Sequence, residues 1–536
     1  MYYKLINADV KNDQFYINAY KYYLHKGHFN VICSQIFYIL EIVFMLIIFI
    51  IFRLYFNYST ESDEFTDYVK RVNASFFDIM FILVFCIYIV GTCIHTHFQT
   101  KIFFKIKEHF HISLHILDKN LKEMEWENIV KKLCENPDTI LDITNRIMRR
   151  DNYLIAMNNR RIFNISSPFL GISLLSTKTL EWLLRTSIFT FFFDNDGIKE
   201  RYMDAHNYEQ TVTECKRWIR GLAIISLLLS PFVWMYMFIF IILKYTHTIK
   251  TTSEFTNARK WSNSSLWSFR EINELQHFFI KRMSKSYGPT LLYINSFENH
   301  TTTIVARFLS FIFGSVTTVL IYLSMLSIEF VFKKNILWWI TIFVTLTILC
   351  RGCIPDPYTL TNPKDHLKII SKYTHFKPKT EEEDTLKELY EMFEIKPVYI
   401  LREIISILLI PYVLWYHMEP KIEDITDFFI NFTKRSRIGY ICSYGTFERE
   451  NDEHNTDEQI TSKLESSIST FKENHISWIS PNFGKFTNDS QINVNNDSQI
   501  DESKNLFTFD ELEPDIQQKV NPSLLEETTL LYMENV

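Results

Sequence analysis

Glycine is scarce in this chain, 11 of 536 residues, and the scarcity is informative. No G-x-x-x-x-G-K-[ST], G-x-G-x-x-G or G-x-S-x-G occurs, so nucleotide-driven transport and serine hydrolysis have no support. Cysteine is sparse too: eight residues, scattered, several inside apolar runs. Cys350-x-x-Cys353 has no second pair at zinc spacing, which argues against a disulfide framework or a structural metal. No cofactor and no catalytic motif is expected, and no nucleic-acid partner. Arginine is missing beyond Arg449, where 18 acids face 5 lysines, so a tail of about −13 leaves residues 1–449 near +7. A cleavable leader is not expected either, because the opening 30 residues are polar and rich in Tyr and Lys.

What is abundant is apolar and aromatic: 47% hydrophobic residues, including 47 Phe and 28 Tyr, gathered in long runs between charged blocks. That layout predicts an all-α polytopic membrane protein. Runs at 31–56 and 76–94 read as a transmembrane hairpin (31–98) after a short cytosolic N-terminus (1–30), with a lumenal loop at 57–75. Residues 99–161 are strongly basic, which puts them in the cytosol. Asn57 and Asn73 head glycosylation sequons in the loop, in agreement with that orientation. Residues 99–218 are expected to form a cytosolic helical region. In it, 141–163 reads as an amphipathic helix under the membrane face and 180–193, interrupted by Arg185, as an interfacial helix.

Residues 219–245 are span-length but carry Pro231 near the middle, and the flanking block 246–303 is as basic as the block before. Entry and exit on one side predict a proline-broken re-entrant segment. Spans three and four follow at 304–350. Residues 351–448 form another cytosolic region, with a second proline-broken segment at 403–418 around Pro411. The expected architecture is thus four transmembrane helices, two re-entrant segments, a cytosolic helical domain and a disordered acidic tail at 449–536.

Polar groups inside apolar runs are the candidate functional residues, since charge there is costly unless it meets water, a partner or headgroups. Glu41 is expected to face other helices rather than lipid. Arg307, Arg351 and the threonines Thr341, Thr345 and Thr347 lie in or at the ends of spans; Lys250 closes the first broken segment, and Arg402 and Glu403 open the second. The bland reading of each is interhelical pairing or snorkelling. The sharper one is a polar groove that headgroups traverse while acyl tails stay in lipid. His111-x-x-x-His115 has the spacing of one box of iron-dependent membrane desaturases. No H-x-x-H-H follows, and a solvated juxtamembrane helix fits better. In the tail, Phe509-x-x-Leu512 among acids matches a short motif that docks on ubiquitin-like autophagy modifiers.

Several blocks together resemble the autophagy-related protein nine family: "DITNRIMRRDNYLIAMNN" (142–159), "STKTLEW" (176–182), "WSFREINELQHFFIKRM" (267–283), "ARFLSFIFGSVTTVL" (306–320), "CRGCIPD" (350–356) and "FFINFTKRSRIGYICSYGTFE" (428–448). The resemblance runs in order from about residue 15 to 448. It implies a homotrimer of small autophagic vesicles and the phagophore, with both termini cytosolic, that scrambles phospholipids without ATP. A bridge-like lipid-transfer protein is the implied partner. It also implies a role in the lipid path for Lys250 and Arg351, although Thr251 and Thr252 stand where the family often has further charge. A membrane scaffold with little scrambling, and an iron-dependent lipid-modifying enzyme, are the alternatives.

Overall fold

The computed structural model describes residues 13–57, 76–133, 139–164, 173–194, 197–203, 205–251, 259–297, 300–326, 336–352, 354, 362–447, 458–476 and 478. The helices are α1 Asp13–Leu24, α2 His28–Asn57, α3 Phe76–Ile112, α4 Trp126–Leu133, α5 Ile140–Asn159, α6 Lys178–Phe192, α7 Tyr208–Thr251 and α8 Asn263–Phe269. They continue as α9 Gln276–Ser296, α10 His300–Leu326, α11 Ile336–Gly352, α12 Pro363–Thr374, α13 Glu382–Met392, α14 Lys396–Tyr412, α15 Ile422–Asn431 and α16 Glu458–Asn474. Three two-stranded antiparallel ribbons join them: β1 (Phe193–Asp194) with β2 (Gly197–Ile198), β3 (Arg259–Trp261) with β4 (Phe393–Ile395), and β5 (Thr433–Ser436) with β6 (Gly439–Cys442).

Five helical stretches are long and apolar enough to cross a membrane: His28–Ile51, Asp78–Ile112, Tyr208–Ile241, His300–Met325 and Lys396–Met418, with Ile336–Arg351 apolar but shorter. Neither proline breaks its helix as the sequence suggested. α7 runs unbroken for 44 residues, about 66 Å at 1.5 Å each. Pro231 has no N–H to give the carbonyl of Leu227, and Ser230 supplies the replacement, its Oγ donating to that carbonyl at 3.4 Å. After Pro411, α14 passes into a π-helical turn, Val413–Met418, which shifts the ladder to i−5 spacing instead of ending it.

α2 and α3 pair through Ile42, Phe49, Phe81 and Phe85, with the Phe49 and Phe81 ring centroids 4.0 Å apart. Phe232, Met235, Tyr236 and Ile239 of α7 close this cluster. At one end of the hairpin Arg53 Nε donates to both carboxylate oxygens of Asp78 at 2.9 Å. α7 packs along α14, and α10 packs along α11.

The remaining helices form a body whose larger core draws on α1, the last turns of α3 (Phe103, Ile106, Phe110), α4–α6, the start of α7, α15 and α16. A smaller core joins β3, α8, α9, α12, α13 and β4. α5 runs inside the larger core. Its polar residues are internally matched: Asn152 Nδ2 donates to Asn273 Oδ1 (2.7 Å), and Asn145 and Asn273 both donate to the carbonyl of Gly445 (2.9 and 2.8 Å). Gly445 is required there, because a Cβ would stand 2.5 Å from Asn145 Oδ1. α6 likewise packs one face into the core, through Leu180, Leu183, Leu184 and Ile188. Arg185, which looked like an interruption, is held by Asp151 (2.7 Å) and Glu181 (3.1 Å). Part of the tail is helical: α16 docks on the body through Phe471, which packs against Phe447 and Trp478, and through Lys463 and Ser467.

Candidate functional site

The α10–α11 hairpin carries most of the polar positions that the sequence singled out. The two helices approach closely because Gly314 offers no side chain; a Cβ there would sit 3.8 Å from Thr347 Cγ2. Phe313 and Phe343 meet nearby with tilted rings, 6.0 Å between centroids. Each threonine of α11 bonds back to its own helix: Thr341 Oγ1 to the Leu337 carbonyl (2.9 Å), Thr345 to Thr341 (2.8 Å) and Thr347 to Phe343 (2.7 Å). A hydroxyl whose proton is committed in this way still presents acceptor lone pairs. The three are not one ladder. Thr347 faces α10, whereas Thr341 and Thr345, four residues apart, share a different face.

Arg307 and Arg351 are both exposed. One lies in the opening turns of α10 and the other in the last turn of α11, so the antiparallel pairing sets them at the same end of the hairpin. From Arg307 an exposed face continues through Phe311, Ser315, Thr318 and Tyr322, at spacings of four, four, three and four. Ser315 and Thr318 also back-bond, to Phe311 and Gly314. The sequence reading passed over these two hydroxyls, although their helical spacing from Arg307 was the available signal.

The other candidates lie elsewhere. Glu403 is buried and caps the N-terminus of α6: its carboxylate accepts from the backbone N–H groups of Lys178 (3.1 Å) and Thr179 (2.7 Å) and from the Thr179 hydroxyl. Arg402 donates to Glu394 on β4 at 2.5 Å. Both tie α14 to the body, and the structure does not bring them to the hairpin. Glu41 is exposed among Phe37, Leu40 and Phe44, contrary to the expected inward orientation. The buried stripe of α2 runs through Ile42, Met45 and Phe49, and position 41 falls off it.

Lys250 occupies the last turn of α7, with its side chain outside the described residues. Asn57 ends α2. Asn73, Phe509 and Leu512 fall outside the described residues. His111 Nε2 lies 3.2 Å from Asp118, and the helix ends at Ile112, so His111 and His115 do not share a helical face. Among the described residues no group of three or more His, Cys, Asp or Glu could hold a metal ion.

Long apolar helices standing on a helical body define an α-helical polytopic membrane protein. The chain belongs to the ATG9 family: the model for "Autophagy protein ATG9" matches residues 7–448. Autophagy-related protein 9 of Vanderwaltozyma polyspora is 30% identical over 481 residues, 82% of this chain and 50% of that protein. The Dictyostelium discoideum protein of the same name is 29% identical over 530 residues, 91% of this chain and 75% of its own length. The chain thus spans about half the length of the yeast relative. The cryo-EM structure of Schizosaccharomyces pombe Atg9 is similar with a TM-score of 0.63 and 27% identity, over 81% of this chain and 98% of that one.

Proposed function

We propose that this protein is an ATP-independent phospholipid scramblase of autophagic membranes, moving lipid between leaflets as they expand. The supporting observation is the exposed face of α10 that carries Arg307, Ser315, Thr318 and Tyr322 along a mostly apolar helix. An arginine at one end offers a phosphate a charge-assisted bond, and hydroxyls further along offer intermediate partners. Each lowers the desolvation cost that keeps a headgroup out of hydrocarbon, and passive flipping needs nothing more. Family membership supports the autophagic setting. A homotrimer, a bridge-like lipid-transfer partner and a tail motif for a ubiquitin-like modifier belong to the same proposal, as does residence in cytoplasmic vesicles and the phagophore with both termini cytosolic.

The test is purified protein in liposomes bearing a fluorescent lipid in both leaflets. Dithionite is expected to quench well beyond the outer-leaflet half, and Arg307→Leu or Arg351→Leu to slow the quench without dissolving the oligomer. Quenching that stops at one half, as in protein-free vesicles, refutes the activity. Unchanged rates in both variants remove the arginines from the path.

A further inference from the structure

A cleft of about 690 Å³ opens in the body between α1, α5, α6 and the α8–α9 corner, well away from the hairpin. Six cations line it (Lys21, Arg150, Lys178, Arg185, Lys199 and Arg270) against the carboxylates Asp151, Glu181 and Asp194. Most of this charge is already used. Asp151 takes Arg185 at 2.7 Å and Arg270 at 3.1 Å, Glu181 takes Arg185, and Lys199 Nζ donates to the carbonyl of Phe191 at 2.8 Å.

Lys21 and Arg150 are different. Among the described residues neither side chain hydrogen-bonds to a protein group; the Arg150 guanidinium only lies near the rings of Phe189 and Phe193, 6.0 and 5.7 Å from their centroids. Asp13 and Asp151 act on Arg150 through space while bonded to other arginines. Burial first, and then the Arg150 charge, push the Lys21 ammonium down to about 8. A half-buried ammonium and an exposed guanidinium that repel each other across one cleft are an arrangement that a bound anion would relieve.

We propose that this cleft binds a phosphate monoester carried on an organic body, with the phosphate between Lys21 and Arg150. A monoester carries nearly two negative charges at neutral pH, enough for both cations. The cleft is far larger than a bare phosphate and falls in the range of small-molecule sites. Trp182, Trp267 and Phe189 give the organic part apolar walls. The same group can arrive on a soluble molecule or on a phosphoinositide headgroup.

Calorimetry on the full chain in phosphatidylcholine nanodiscs separates the sources. Inositol 1,4,5-trisphosphate is the soluble probe, and nanodiscs that also contain phosphatidylinositol 4-phosphate are the membrane arm. Saturable binding of the soluble probe, weakened at least tenfold in Lys21→Gln/Arg150→Gln and regained in Lys21→Arg/Arg150→Lys, supports the proposal with a soluble ligand. If only the membrane arm shows that variant dependence, read as a ligand-dependent rise in Tm, the proposal stands with a lipid source. Removing two repelling charges should leave the ligand-free Tm unchanged or higher, so a folding defect does not mimic lost binding. No binding in either arm, or equal binding by wild type and the double variant, overturns it.

Discussion

The body and the membrane helices handle polar groups in opposite ways. In the body, charges are buried and matched across elements far apart in sequence: Glu271, fully buried, takes Lys463 (3.1 Å), His375 (2.7 Å), Ser466 (3.0 Å) and Ser467 (2.7 Å). Asp13 takes Arg149, whose guanidinium also reaches the carbonyl of Ile438 at 2.8 Å. In the α10–α11 hairpin the hydroxyls instead bond within their own helix, and the arginines point outward. A polar side chain in the body specifies which elements meet. One on the hairpin is left available to whatever surrounds it. Substitutions should therefore cost stability in the body, and activity rather than stability in the hairpin.

The largest expected effect is at Glu271. Glu271→Ala leaves Lys463 buried without its partner and should cost about 3–5 kcal/mol, seen as a large drop in Tm. α16 should loosen with it, and amide exchange over 458–474 should rise. Glu271→Ala with α16 as protected as before would mean that apolar contacts alone hold the helix. The same group sets an acid sensitivity. Lys463 and the hydrogen-bonding partners hold the Glu271 carboxyl down to about 2, so its contribution is complete above its usual 4.5 and is lost as pH falls from there toward 2. Burial pushes His277 down to about 3 and His475 to about 4, so these neutral imidazoles resist protonation that the unfolded chain accepts. Their contribution is complete above about 6.5 and declines below it, by at most about 1.4 kcal/mol per pH unit for each histidine. Tm measured from pH 7 to 4 should fall, and His277→Phe should flatten the upper part of that fall. An unchanged slope would exonerate His277.

Glu403 is the sharpest single test of the contrast, because the sequence put it on the lipid path and the structure puts it on a helix cap. Glu403→Ala should cost about 1–3 kcal/mol, as a buried cap to two N–H groups does. Lipid scrambling in the liposome assay, per folded protein, should be unchanged. Slower scrambling at an unchanged Tm would return Glu403 to the path.

Glu403 also illustrates what a sequence can convey. The apolar runs marked where the long apolar helices lie, α2, α10 and α11 to within a few residues, although α3 continues to Ile112 and α7 begins at Tyr208, because a long apolar stretch is visible in one dimension while its polar extensions are not. Pro231 misled, because its cost depends on a local replacement donor, Ser230, that proline statistics ignore. Arg185 misled in the same manner: Asp151, 34 residues away, pairs its charge so that it does not interrupt the helix. Glu403 meets Thr179, 224 residues earlier, and no spacing rule connects them. The tail was judged on composition, yet Lys463 and Ser467 find Glu271 nearly two hundred residues upstream. Local periodicity was legible, whereas long-range pairing of polar groups was not.

The smallest effects should separate two threonines two residues apart. Thr347→Val removes a hydroxyl already bonded to the Phe343 carbonyl and keeps the methyl that packs toward Gly314, so stability should move by less than about 0.6 kcal/mol. Thr345→Val is the same chemical change on a different face, with the same back-bond to Thr341. If outward-facing acceptors carry headgroups, Thr345→Val should slow scrambling severalfold, and Thr347→Val, turned into the hairpin, should not. Ser315→Ala on α10 should slow scrambling at least as much as Thr345→Val, because Ser315 is exposed on the hairpin surface whereas Thr345 is half-buried. Equal rates for all three variants would mean that hydroxyls are dispensable and that the arginines at the hairpin end govern entry. Slowing by Thr347→Val alone would move the path to the seam between α10 and α11, and the division between matched interior and open surface would then fail where it was drawn most finely.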